Sequence, residues 1–147
     1  MGHYAVIHIV HLFCAIAFIG VVFFEVFILE GIRHHIGATL MPQVEQGIIG
    51  RAKRVMPWFV GTLFLSGIAL AWFHYSNLGS PFDSSLGILL GVKILLALSV
   101  LAHFVNAMMA AQSGCMDSSR FQITHLSVFI HMVLIVILAK VMFYVHW

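Results

Sequence analysis

The chemistry available to this chain lies mainly in its histidines. The sequence contains ten of them, which exceeds its seven lysines and arginines together. Several fall inside long apolar segments, where an ionisable side chain is costly and therefore marks a functional position. Imidazole binds metal ions through a ring nitrogen and transfers protons near neutral pH. The histidines inside apolar segments are His8, His11, His74, His103, His125 and His131.

Composition places the whole chain in a membrane. Hydrophobic residues make up 62% of the 147 residues and charged residues only 8%, and the mean hydropathy is +1.07. These values lie far outside the range of soluble domains. We therefore expect one integral membrane domain over residues 1–147. The formal net charge of +2 gives no basis for a nucleic-acid partner.

Four apolar segments are near or above the ~20 residues that a helix needs to cross a bilayer. They lack the period-two alternation of barrel strands, so they predict helices. The predicted helices are Tyr4–Leu29, Pro57–Tyr75, Leu86–Ala111 and Phe121–Tyr144. The expected fold is all-α, an integral membrane four-helix bundle with up-down-up-down order. Gly31–Met56 is predicted as the longest loop, with Pro57 in the first turn of the second helix, and no internal repeat is evident.

The distribution of basic residues predicts the topology. Lysine and arginine concentrate in the first and third connections, whereas the second connection has neither. The positive-inside rule places the first and third connections in the cytoplasm. The expected topology is therefore N-out and C-out, in the inner membrane of a bacterium.

The histidines fall at two depths in this bundle. With ~1.5 Å of rise per residue from the middle of each helix, His8 lies ~13 Å, His11 ~8 Å and His74 ~12 Å toward the outer side. By the same count, His103 lies ~7 Å and His131 ~3 Å toward the cytoplasm. Imidazoles at matched depth on neighbouring helices are what axial ligation of a haem iron requires. The sequence therefore predicts one or two b-type haems.

At each level, the sequence leaves a choice of which histidine would ligate the iron. His8 and His11 are one turn apart on one face, so either could ligate iron. His125 and His131 are about 120° apart around the fourth helix, so they cannot point the same way. We prefer His131, because it shares a polar stripe with Ser127.

Other ionisable side chains have more than one interpretation. Lys93, at the outer level, suits a haem propionate or another anion. The simpler alternative for His103 and His131 is an interhelical hydrogen bond to a serine or an asparagine. Glu25 is expected to pair with Arg33 or Arg54 rather than to act as a proton carrier.

The spacing of these residues resembles that of the CopD-like and HemJ-like membrane proteins. His11, Phe18 and Gly20 match a first-helix histidine followed by an aromatic residue and a glycine. Lys93 and His103 match a third-helix lysine followed about three turns later by a histidine. The HemJ-like resemblance implies a haem-binding oxidoreductase related to protoporphyrinogen oxidation, with His11 as the first-helix ligand. The CopD-like resemblance implies copper handling in or across the inner membrane.

Three functions follow as hypotheses. The first is a b-type cytochrome that moves electrons across or within the membrane, with a quinone as a candidate partner; the additional histidines, His131 among them, favour it over a porphyrinogen oxidase. The second is copper transport or tolerance, in which soft ligands join His11. The third is a small anchor subunit of a larger membrane complex, or a homo-oligomer. The candidate soft ligands are Cys14, Met56, Met108, Met109, Cys115 and Met116.

Overall fold

The computed structural model describes residues 2–37, 39–76, 84–113 and 118–144, and within these ranges the chain is almost entirely helical. The elements are α1 (Gly2–Phe23), a π-helical stretch (Phe24–Leu29), α2 (Glu30–Ile36), α3 (Met41–Tyr75), α4 (Ser85–Ser113) and α5 (Ser118–Val141). Four helical stretches are long and apolar enough to cross a membrane, and the first of them runs through α1 and the π-helical stretch to Arg33. The predicted all-α bundle and the predicted multi-pass membrane protein are confirmed.

The predicted loop over Gly31–Met56 is wrong, because most of it is helical. The second span begins at Met41, and Pro42 lies in its first turn. Pro57, which we expected at that position, lies inside the helix. Proline lacks the N–H that would bond four residues back, but membrane-spanning helices tolerate this loss. The basic residues between these two prolines lower the hydropathy, yet lysine and arginine are good helix formers.

Gly37 separates α2 from α3. Its backbone adopts φ 80° and ψ 160°, a region that side chains with a Cβ do not enter without strain. Leu29 before it and Met41 after it are almost completely buried in one small cluster of aliphatic side chains. The helical hairpin between the first two spans is therefore held by its own apolar contacts.

The four spans pack in chain order around one core. α1 packs mainly on α3 and α4 mainly on α5, and smaller α1–α5 and α3–α4 contacts close the bundle. Lys53 of α3 donates a hydrogen bond to the carbonyl of Ala111, near the C-terminal end of α4, where a cation is favoured by the helix dipole. The buried core draws on all four spans and consists of Phe18, Val22, Met56, Val60, Val100, Val128 and Met132.

We expect Phe18→Ala to destabilise the bundle by about 3 kcal/mol, because it removes a buried ring from the core. Phe18 is only 6% exposed, and its ring meets that of Phe104 on α4 edge to face at 6.1 Å. The measurement is thermal unfolding in detergent, followed by circular dichroism. Phe13→Ala is the matched control, since Phe13 is on the same helix but 65% exposed. Equal losses in the two variants would contradict this core.

Candidate functional site

A short repeat lies at the interface of α4 and α5. Residues 99–103 read Ser-Val-Leu-Ala-His, and residues 127–131 read Ser-Val-Phe-Ile-His. The expectation that the chain has no internal repeat was therefore wrong at this short scale. In both copies the serine precedes the histidine by four residues, which puts the two side chains on the same helix face.

The two copies bind each other reciprocally. His103 Nε2 is 3.2 Å from the hydroxyl oxygen of Ser127, and His131 Nε2 is 3.2 Å from the hydroxyl oxygen of Ser99. The ring centroids of the two histidines are 5.6 Å apart, with 46° between the ring planes. The structure thus brings together the two histidines predicted at the inner level. It joins them through serine hydroxyls, as the simpler sequence interpretation expected.

The other nitrogen of each ring fixes the tautomer. His103 Nδ1 is 2.8 Å from the carbonyl oxygen of Ser99, and His131 Nδ1 is 2.8 Å from that of Ser127. A carbonyl oxygen can only accept, so Nδ1 must hold the proton in the neutral ring. Each Nε2 therefore has the lone pair, and the opposing serine hydroxyl donates to it.

His11, at the interface of α1 and α3, also bonds a backbone carbonyl through Nδ1, but here the carbonyl and the serine hydroxyl both belong to the neighbouring helix. Its Nδ1 lies 3.0 Å from the carbonyl oxygen of Leu63 and 3.1 Å from the hydroxyl oxygen of Ser66. The Ser66 hydroxyl donates to the Thr62 carbonyl at 2.7 Å, so its oxygen is free to accept from Nδ1. In the neutral ring, Nδ1 again holds the proton and Nε2 the lone pair.

Gly67 and Lys93 complete the surroundings of His11. A Cβ at Gly67 would lie 3.1 Å from the Cε1 atom of His11, so the ring packs directly on the α3 backbone there. Lys93 of α4 and His8 are within electrostatic range of the His11 ring. Lys93 and His11, two of the residues on which the family resemblance rests, are therefore within electrostatic range of each other.

The other two predicted outer-level histidines have different surroundings from His11. His8 is exposed on α1 and contacts the Tyr4 ring at 6.0 Å between centroids. His74 lies about two turns along α3 from Gly67, which is ~10 Å at 1.5 Å per residue. Since His11 packs on Gly67, the imidazoles of His11 and His74 lie at different heights. His74 is therefore not placed at the level of His11.

Glu25 and His125 form a third polar contact between spans, which the sequence did not predict. The Glu25 carboxylate lies 2.8 Å from His125 Nε2, so the expected pairing of Glu25 with Arg33 or Arg54 is wrong. Arg33 instead bonds Glu30 at 2.9 Å and Glu45 at 2.6 Å. Glu25 is the second residue of the π-helical stretch. The altered helix period there turns its side chain toward α5. Sequence periodicity alone does not report this change.

Only some of the soft ligands proposed for copper lie in the described part of the chain. Cys14 is buried in α1, whereas Cys115 and Met116 lie outside the described residues. Across the four described ranges, no three side chains of histidine, cysteine, aspartate or glutamate come together as a metal site.

No family model matches the sequence, and no curated protein and no solved structure is significantly similar to it. The CopD-like and HemJ-like resemblance stays a prediction.

We expect Gly67→Val to displace the His11 ring and to weaken its bond to the Leu63 carbonyl, because the new side chain meets the ring at contact distance. Histidine ring ¹⁵N chemical shifts of labelled protein measure this, since they distinguish Nδ1–H from Nε2–H. The matched control is Gly61→Val on the same helix, where a Cβ meets nothing within 4 Å. An unchanged His11 signal in Gly67→Val would contradict the packing described for this ring.

Proposed function

We propose that this chain is a b-type haem protein that transfers electrons within or across a bacterial inner membrane. One observation supports this proposal most strongly. His11, His103 and His131, at two levels of the bundle, each have Nδ1 bonded to a backbone carbonyl. In the neutral rings, all three Nε2 atoms therefore have the lone pair that iron ligation needs.

The inner pair fits the donor chemistry of a bis-histidine haem. Metal-ligating histidines usually donate the other ring N–H to a carbonyl or carboxylate, which fixes the ring and raises its basicity. His103 and His131 meet this requirement through the carbonyls of their own helices. Their Nε2 atoms are bonded only by serine hydroxyls within the described contacts, and a hydroxyl can rotate to another acceptor.

The outer level fits one ligand and one anion-binding group. His11 is held by Leu63 and Ser66, and Gly67 lets its ring approach the α3 backbone closely. Lys93 adds a positive charge in this neighbourhood, which suits a haem propionate. His8, one turn away on α1, and His74 are the further candidates for this level.

Haem bound at these positions would supply one-electron chemistry, and the protein would tune it through the ligands and the apolar shell. The residues of this chain hold the imidazoles in place, exclude water from them and provide a cation near the outer level. A quinone, or a larger membrane complex in which this chain is a subunit, is the proposed electron partner. A haem-dependent oxidoreductase acting on a porphyrinogen is the alternative within the same chemistry.

Reduced-minus-oxidised absorption spectra of the purified, unheated protein test the proposal. We expect haem b bands, and loss of the same part of the haem content in His103→Ala and His131→Ala. His11→Ala should remove a different part, if the outer level holds its own haem. Haem is quantified per chain in each variant.

His35→Ala is the matched control, because His35 is an exposed histidine on α2 and is no proposed ligand. Its haem content should equal that of the unaltered protein. Haem bands that persist unchanged in all three ligand variants would overturn the assignment. Stoichiometric copper without haem would favour the copper-handling function instead.

A further inference from the structure

The buried carboxylate of Glu25 lies where the first span departs from α-helical geometry. The residues Phe24–Leu29 form a π-helix, and such stretches are rare and frequently found at functional sites. Glu25 is 6% exposed, although a charged side chain inside a membrane span is costly. A buried carboxylate that persists there needs a partner that shares its charge or its proton.

His125 of α5 is that partner. Its Nε2 is 2.8 Å from Glu25 Oε2, and the two side chains are only 18% and 4% exposed. At this distance one proton lies between the two atoms in either a neutral or an ionic form. The pair can also bind a second proton, with an imidazolium beside a carboxylic acid, or lose the shared one.

A cavity of about 270 Å³ lies beside the pair. Because a water molecule has a share of ≈ 30 Å³ in the liquid, this volume has room for several waters. Glu30 and Gln122 lie on its wall together with the pair, and apolar side chains complete it. The lining residues are Glu25, Val26, Leu29, Glu30, Gln122, His125 and Leu126.

Hydrogen bonds continue from the cavity toward the α2 end of the bundle. The Gln122 amide donates to both carboxylate oxygens of Glu30 at 2.9 Å. Glu30 is bonded by Arg33, which also bonds Glu45 of α3. Gln122, Glu30, Arg33 and Glu45 thus form a hydrogen-bonded series from the cavity wall to the hairpin between the first two spans.

Carboxylates outnumber guanidinium groups along this series. The carboxylates of Glu25, Glu30 and Glu45 lie with the guanidinium of Arg33 and the imidazole of His125.

The elements with the most contacts to the π-helical stretch are α1, α2 and α5. The last turn of α1 before it, residues 19–23, has no ionisable residue. Of the described side chains on α2, Glu30 and Arg33 belong to the polar series and His35 is exposed. On α5, the other ionisable residues with described side chains are His131 and Lys140, six and fifteen residues beyond His125.

We propose that Glu25 and His125 form a proton-binding site that exchanges its protons through this cavity with the α2 end of the bundle. A hydronium ion delivers the proton through water in the cavity to Glu25 Oε2 or His125 Nε2 and remains as water, and no electron is transferred. The site uses none of the proposed haem ligands. It is therefore testable on the protein with or without haem.

Infrared difference spectra between acidic and neutral samples of the protein in lipid nanodiscs test the site. We expect a carboxylic-acid C=O band that grows on acidification and is absent in Glu25→Gln. In His125→Gln, the pH midpoint at which this band grows should shift. Glu30→Gln should move the midpoint to lower pH, because removal of a nearby negative charge makes the added proton less favourable.

Hydrogen–deuterium exchange of that band tests the route. Leu126→Trp places a large ring at the cavity wall, so we expect several-fold slower exchange. Ile130→Trp is the matched control, because Ile130 lies one turn further on α5, is 52% exposed and does not line the cavity. Equal exchange rates in the two variants would overturn the route.

A band that persists in Glu25→Gln would overturn the site itself. If Glu25→Gln does not fold, Glu25→Asp is used instead. A carboxylic-acid band at an unchanged frequency in Glu25→Asp would also overturn the site. The absence of haem from every sample would refute the proposed function and leave these infrared outcomes unaffected. The two proposals therefore fail separately.

Discussion

Hydrocarbon offers no hydrogen-bond partner, and this constraint determines how the polar residues of the bundle are arranged. Within the described ranges, every buried side-chain nitrogen or oxygen has a partner. An unsatisfied polar group in such surroundings costs several kcal/mol. His11, His103 and His131 therefore each bond a carbonyl through Nδ1, and this bond fixes both the direction of the ring and its neutral tautomer. The ring direction that permits ligation is thus a consequence of how the membrane protein satisfies its own polar groups.

The serine four residues before each histidine has two roles. The carbonyl of Ser99 accepts from His103 on its own helix, while its hydroxyl binds His131 on the neighbouring helix. Ser127 does the same with the helices exchanged. One copy alone would satisfy only half of these groups, so the motif stabilises the interface only when it occurs on both helices. Interhelical bonds of this kind are worth on average ≈ 0.6 kcal/mol each in a membrane protein. Their main effect is to fix the register of α4 against α5.

Hydropathy was sufficient to predict the four spans, and depth counting was sufficient to place His103 and His131 at one level. Other features depend on contacts that no local pattern encodes. The helical extension before Pro57 was hidden because its basic residues lower the hydropathy, and the pairing of Glu25 with His125 depends on the π-helical stretch. The approach of His11 to Gly67 depends on how α1 and α3 meet, and small residues are common in all membrane helices. The repeated Ser-x-x-x-His spacing was present in the sequence and could have identified the α4–α5 pair.

The two proposed sites are close enough to influence each other without a shared residue. His125 and His131 are six residues apart on α5, which is ~9 Å along the helix at 1.5 Å per residue. Two unit charges at that separation interact by about 1.8 kcal/mol with an effective dielectric constant of 20. If both proposals hold, a negative charge added at the inner level favours protonation of the Glu25–His125 pair. The two proposed sites would then be coupled electrostatically, although they share no residue.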